Sequence, residues 1–561
     1  MSDPIPAVQA RIPPRLQAAV EEELQRAATD RVAERLPAAD ASLWAPPGTP
    51  EVADRLGWLT IAERMLAEVD ALEEFAAEVA AEGVQDVVLL GMGGSSLAPE
   101  VLRRSFGHQP GRPRLSVLDS TDAQAIAAVG AAVDPRSTLF IVSSKSGGTI
   151  EPLSLFAHFW PLAPDGRRFI AITDPGSGLE RLAAEHGFRR TFSGDPQIGG
   201  RYSALSAFGM VPAALMGADV RALLGGAAGA ARTVLAEQPG AQGGAAVWLG
   251  SALSGLARAG REKLTFLIAP TLPGLGLWLE QLVAESTGKH ATGILPVADE
   301  PLGPPAAYGE DRVFVHMPDV GAPDQAMDEL AAALADAGHP VITMPVRSAR
   351  DLGRIFLAWE TAVAVAGWGL GINPFDQPNV QQAKDATTRV LADYEARGQL
   401  TVPATATGEQ LRSLLLGASP PQYVAIMAYT RPTAEFDAAA AQLRAAVRGA
   451  TAATTTFGYG PRFLHSTGQF HKGGPPTGRF LQLLHDGPED VAIPGAPYTF
   501  TTLKEAQAIG DLSTLRELSL PAERVRLPGA DPAGALRALA ASVGAPGGRE
   551  SEDASQASEP R

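Results

Sequence analysis

Cysteine is absent from the 561 residues. That excludes disulfides, thiolate metal sites and cysteine nucleophiles. Long apolar runs are missing too: the most apolar region, Leu264 to Val283, is broken by Pro270, Pro273 and Gly274, short of the ~20 residues of a membrane span. The start, MSDPIPAVQARIPPRL, lacks the charged-then-apolar layout of a secretion signal. Positive charge is in deficit, with a net charge of -16. A broad surface for nucleic acid or anionic membrane is therefore not expected, though a local positive pocket remains compatible. The nine histidines show no H-E-x-x-H or related spacing, so no metal site is expected. These absences predict a cytoplasmic protein with neither nucleic acid nor membrane as partner.

Apolar residues make up 45% and charged residues 19% of the chain, enough for substantial cores in more than one domain. Residues 1–50 read as an N-terminal helical arm, with a helix from about Leu16 to Leu36. A further helix carries Met65, Val69, Leu72, Phe75 and Val79 at the helical period and ends near Gly83. Short apolar strands (Val87–Leu90, Leu115–Leu118, Leu139–Val142, Phe169–Ile172) then alternate with helices. The pattern restarts after the Gly/Ala-rich stretch Gly225–Gly244, with strands at Leu264–Ala269, Val313–Met317 and Val341–Pro345 and a long helix at Leu352–Trp368. Such alternation predicts parallel sheets covered on both faces. The expected class is α/β: two tandem doubly wound parallel-sheet domains, 51–225 and 226–399, and a C-terminal α/β domain, 400–545. The small, polar tail 546–561 is expected to be disordered.

Three segments carry chemistry: GMGGSSLAP from Gly91, SSKSGGTIEP from Ser143 and GGRYSALSAFG from Gly199. The first two follow buried strands. A strand that ends in glycine and hydroxyl residues at a helix start leaves backbone N–H groups and hydroxyls free for an anion, and two such loops at the carboxyl ends of parallel strands share one crevice. Gly94, Ser95, Ser144, Ser146 and Thr149, with Lys145 nearby, are the candidate phosphate ligands, and Arg201 is a cation placed to join them. Neither loop is a Walker A or a G-x-G-x-x-G sequence, which favours a small phosphorylated metabolite over a nucleotide.

These segments, with AESTGKHATGILP from Ala284 and INPFDQPNVQQAK from Ile372, resemble the sugar isomerase family and, within it, the glucose-6-phosphate isomerases. The tail, FGYGPRFLHSTGQFHKGGPPTGRFLQL and PYTFTTLKEAQAIGDL, is similar to the isomerase half of bifunctional transaldolase/glucose-6-phosphate isomerases. The resemblance implies tandem sugar isomerase domains, no cofactor, a phosphosugar substrate, a homodimer, and interconversion of glucose and fructose 6-phosphates through an enediolate. It assigns the base to Glu285, at the end of an apolar helix where burial raises a carboxyl's pKa, with Glu280 as the nearest rival. Arg201 is the enediolate-stabilising cation, the bland alternative being a structural arginine paired with Asp195 or Glu151. Lys384 serves ring opening and Gln377 contacts substrate. The family's histidine has no counterpart two dozen residues after Glu285. LHSTGQ occurs instead at Leu464–Gln469, so a rearranged C-terminal segment is expected to return His465 to the site, with His290 and His471 as alternatives. His316 is expected to be structural, and Lys472–Gly474 to form a weaker anion-binding turn. The competing functions are a phosphosugar-sensing module without turnover and an isomerase of a related phosphosugar such as mannose 6-phosphate.

Overall fold

A computed structural model describes residues 8–234 and 244–544. The described residues form three sheets, each flanked by helices, as the α/β pattern predicts; the tail 546–561 lies outside the described residues. The N-terminal sheet is wholly parallel, in the spatial order Arg114–Leu118, Asp86–Gly91, Thr138–Ser143, Phe169–Thr173, Arg190–Ser193. Strands Asp86–Gly91 and Thr138–Ser143 are buried along their whole length. This is why they read as unbroken apolar runs rather than alternating ones.

The middle sheet runs Gln9–Arg11, Val341–Thr343, Arg312–Met317, Lys263–Ile268, Leu295–Val297 and is parallel except for its first strand. The C-terminal sheet runs Thr454–Tyr459, Tyr423–Tyr429, Gly478–Leu484, Ala522–Arg526, all parallel. In each sheet the chain steps to one side of its first parallel strand and then crosses to the other. The carboxyl ends there form a crevice, and in the N-terminal sheet both glycine/hydroxyl loops open into it.

The elements depart from the sequence reading in instructive places. The helix over 65–79 arrives as two, Ile61–Ala67 and Val69–Ala81. The expected arm is tied to the middle unit: Gln9–Arg11 extends its sheet, and helix Pro14–Thr29 packs on helix Ala245–Arg258. Helix Val220–Val234 runs through the boundary drawn between 225 and 226. Four strands lie outside the expected set. Gln9–Arg11 and Arg190–Ser193 are largely exposed edges, Leu295–Val297 is three residues long, and three of the five residues of Ala522–Arg526 are charged.

A buried ionic seam joins the C-terminal unit to the middle one. Glu300 accepts hydrogen bonds from Arg312 at 2.8 Å and from Thr455 Oγ1 at 3.0 Å. Arg444 donates to the carbonyls of Ala298 and Asp299 at 3.0 and 2.7 Å, and Arg448 to that of Pro301. Among the described residues no helix is long and apolar enough to cross a membrane.

Candidate functional site

Arg201 sits in a short turn, Gly200–Tyr202, and is 1% exposed. Its guanidinium is fully engaged. Nε donates to Ser286 Oγ at 2.9 Å, Nη1 to Glu285 Oε2 at 3.2 Å and Gln377 Oε1 at 2.8 Å, and Nη2 to the carbonyls of Pro374 and Asp376 at 2.6 and 2.9 Å. Its carboxylate partner is thus Glu285, not Asp195 or Glu151. The turn closes against the first glycine loop so tightly that a Cβ on Gly94 would lie 2.0 Å from Gly200 O; only glycine fits there.

Glu285 lies in the last turn of helix Leu275–Thr287, 6% exposed. Burial raises its pKa above the ordinary carboxyl value, against the pull of Arg201 and His465. Glu280, one turn earlier, is pushed up to about 8 by burial and by Asp299. It lines a different cavity, beside Asp299 and Arg444.

The LHSTGQ segment packs between the helix after the second glycine loop and the helix that bears Glu285. His465 Nε2 lies 2.9 Å from Glu151 Oε1, and its carbonyl accepts from Gln281 Nε2 at 2.8 Å, one turn before Glu285. Glu151 is at the start of helix Ile150–Phe159, directly after the second glycine loop. Burial would raise its carboxyl, but His465, backed by Lys384, outweighs this and holds it below the usual range. Gln507 Nε2 donates to the same Glu151 oxygen at 2.7 Å, and Gln507 Oε1 accepts from Thr121 Oγ1 at 2.7 Å. Glu151 and Gln507 are the residues the sequence reading missed as site members. Glu151 directly follows the second loop, and Gln507 lies in the tail segment TLKEAQAIGDL, where no spacing marks it.

A cavity of about 260 Å³ opens here, lined by Thr149, Glu151, Lys384, His465 and Gln507. Lys384 projects from helix Pro378–Arg397, and Gln377 is the N-cap residue of that helix. Around the second loop, Ser144 Oγ bonds Thr149 Oγ1 at 3.0 Å, Ser146 is exposed with its Oγ 3.4 Å from Gly148 N, and Ser95 is buried in the first loop. Thr149 is the N-cap residue of helix Ile150–Phe159, so its hydroxyl and that of Ser144 lie at the positive end of that helix dipole.

Two expectations fail on geometry. Lys145 is spent: Nζ donates to both Asp174 oxygens at 2.8 and 2.7 Å and to Asp195 O at 2.7 Å. An ammonium has three donors, so none remains for a phosphate. Lys472 is likewise buried against Asp511 at 2.6 Å, which removes the anion-binding turn. Among the alternative histidines, His471 is wholly enclosed by Tyr423, Phe463 and Phe480, with burial forcing its pKa down to about 3. His290 is exposed on a turn. His316 faces Asp328 at 3.2 Å in the middle sheet. Among the described residues no group of three His, Asp or Glu is arranged to hold a metal ion.

Comparison with known proteins fits this geometry. Residues 61–304 match the family model described as phosphoglucose isomerase. A glucose-6-phosphate isomerase from Rubrobacter xylanophilus is 31% identical over 379 residues, spanning 58% of this chain and 86% of the relative. One from Thermus thermophilus is 32% identical over 393 residues, spanning 61% and 91%. Among solved structures, a hypothetical protein from Thermus thermophilus superposes with a TM-score of 0.56 at 27% identity, covering 68% of this chain and 100% of that one. A glucose-6-phosphate isomerase from Chlamydia trachomatis does so with a TM-score of 0.51 at 20% identity, covering 68% and 87%, and carries the fold alone. With most of each curated relative's length matched at this identity, and the loops that carry the motifs converging in one crevice, the chain belongs to the glucose-6-phosphate isomerase family.

Proposed function

We propose that the chain interconverts D-glucose 6-phosphate and D-fructose 6-phosphate through an enediolate. The observation that carries this is Glu285, a buried carboxylate with a raised pKa, held 3.2 Å from the guanidinium of Arg201. A base and an oxyanion-stabilising cation in contact are what proton transfer next to a carbonyl needs. Ring opening moves one proton from the C1 hydroxyl to the ring oxygen. His465, oriented by Glu151, and Lys384 line the cavity where that exchange takes place. Glu285 then takes the proton from C2 and returns it to C1, while the O2 proton passes to O1. Arg201, whose five donors are all held by protein acceptors, acts on the enediolate oxygens in between through the fixed positive charge of its guanidinium beside Glu285. Ser95, Ser144, Ser146, Thr149 and the backbone at Gly94 receive the phosphate, and Gln377 steadies Arg201 beside the sugar.

A phosphosugar sensor has no use for Glu285 against Arg201, and this separates the two readings. The family resemblance also suggests a homodimer acting in the cytoplasm, and the tail's likeness to the isomerase half of bifunctional transaldolase/glucose-6-phosphate isomerases belongs to the same reading. Light scattering reads the oligomeric state. His465 reaches the site from within its own chain, so the constellation does not need a second copy to supply it.

The test is a coupled assay, with fructose 6-phosphate supplied and glucose 6-phosphate followed by its dehydrogenase. Wild type should turn over, while Glu285→Gln should lose turnover and still bind phosphosugar. His465→Ala should slow the cyclic sugar far more than proton exchange on an open-chain substrate. Wild-type binding without turnover would make the chain a sensor, and turnover of mannose 6-phosphate alone would reassign the substrate.

A further inference from the structure

Lys289 follows Glu285 by one turn, is 0% exposed, and took no part in the sequence reading. Its ammonium donates to the carbonyl of Asn373 at 2.6 Å, to that of Asp376 at 2.5 Å and to Asp376 Oδ1 at 2.5 Å. All three donors thus go to the loop between helix Leu352–Leu370 and helix Pro378–Arg397. The same loop supplies three of the five acceptors of Arg201: the carbonyls of Pro374 and Asp376 and the side chain of Gln377. Lys289 therefore grips, from behind, the segment that aims Arg201.

A second feature converges on the same residue. His290 and Ala291 have φ of 52° and 58°. They are the central pair of a tight turn closed by Thr292 N to Lys289 O at 2.9 Å and Lys289 N to Thr292 O at 3.1 Å. Left-handed backbone at two successive residues other than glycine is strained and persists only where the surroundings impose it. Here they do. Ala291 N donates to Gly473 O at 2.9 Å, and Gln469 Nε2 to Gly288 O at 2.9 Å, both from the His465-bearing segment of the C-terminal unit.

We infer that Lys289 is a positioning residue: held by the strained turn, it clamps the 373–377 loop and so fixes Arg201 in the orientation that meets the enediolate. The inference rests on the proposed isomerase reading and deepens it. Lys289 touches no reacting atom, so its loss acts through Arg201. The ammonium form supplies all three bonds and the neutral amine only two. The charged groups around it are Arg201, Glu285 and Asp376; burial and then Arg201 drive its pKa down to about 7, although Asp376 and Glu285 pull the other way. The clamp thus slackens as pH rises through neutrality.

The experiment uses the full chain in the coupled assay, with Lys289→Met, Lys289→Arg and the milder Asp376→Asn. Lys289→Met should lower kcat on the order of 10²-fold, the loss that follows removal of a transition-state donor, with KM nearly unchanged. A five-carbon phosphohydroxamate that mimics the enediolate should lose affinity in step with kcat, while glucitol 6-phosphate, which has no such charge, should keep its affinity. Lys289→Arg should restore part of the activity and lose the alkaline decline of kcat. Asp376→Asn, which keeps the backbone acceptors, should show the same selective loss at about a tenth of the size; it decides the matter if the lysine variants do not fold. Unchanged kcat in these variants, or equal weakening of both ligands, would overturn the clamp while leaving the isomerase reading intact. A wild type without turnover would overturn both.

Discussion

Glu280 and Glu285 stand about one turn apart on the same buried helix, yet they meet different fates. Glu285 finds a guanidinium. Glu280 finds Asp299 and one long hydrogen bond, 3.4 Å from Ala298 N. Its folded pKa of about 8 against an ordinary value of 4.5 means that the folded state holds a proton the unfolded chain has released across that window. Stability contributed by that proton is present below pH 4.5 and lost as pH rises through 8, by up to about 1.4 kcal/mol per unit. Glu280→Gln keeps the shape without the titration. Its melting temperature should exceed that of wild type at about pH 8 and match it near about pH 5, as thermal unfolding at the two pH values would read. Equal melting temperatures under the alkaline condition would contradict the burial argument.

The glycine/hydroxyl loops were legible because the signal is local: a buried strand, then small residues, then a helix start. What those loops touch was not local. The spending of Lys145 on Asp174 depends on a strand crossing, and the contact of Gln507 with Glu151 joins residues 356 apart. No spacing rule reports such contacts. His465 was found only because its neighbours repeat a family context; polarity alone gave it no precedence over His471, which the structure buries. Gln9–Arg11 and Arg190–Ser193 escaped for a related reason, since exposed edges need little hydrophobicity. Gly94 shows the limit from the other side. The sequence marks it as a loop glycine, but only the approach to Gly200 O makes it irreplaceable. Gly94→Ala should push the first loop off the Arg201 turn, costing well over tenfold in kcat/KM and about 1–3 kcal/mol of stability, the range for an overpacked site. Kinetics beside chemical denaturation check it, and wild-type values in both would show that the two loops can separate freely.

Among the described residues, three mainly parallel sheets of like winding each contribute one member of a charged cluster: Arg201 from the first meets Glu285 from the second, and His465 from the third acts on the same carboxyl. The tandem α/β plan was readable from strand–helix alternation. The docking of the third unit was not, because it rests on Glu300 meeting arginines from two units. Burial would raise the Glu300 carboxyl, but Arg312, Arg444 and Arg448 hold it below the usual range. The stability it contributes is therefore present above pH 4.5, its ordinary value, and fades as pH falls through the lowered one. Glu300→Ala leaves the two buried guanidinium groups ion-paired with it, Arg312 and Arg448, without their carboxylate and should cost about 3–5 kcal/mol, read by denaturant unfolding at neutral pH. A loss under about 1 kcal/mol, the scale of an exposed pair, would show that the carbonyls alone hold the seam.

The order in which these parts leave the ribosome has a consequence. Chains are made from the N-terminus at roughly 5–20 residues per second, and domains fold as they emerge. Arg201 and Glu285 are exposed well before His465, and Gln507 follows later still. A nascent chain with its first two sheets folded holds the glycine/hydroxyl loops and the Arg201–Glu285 pair, but neither His465 nor Gln507, which meet at Glu151. On the proposed roles, activity begins near the end of synthesis, and a prematurely terminated chain binds phosphosugar without converting it.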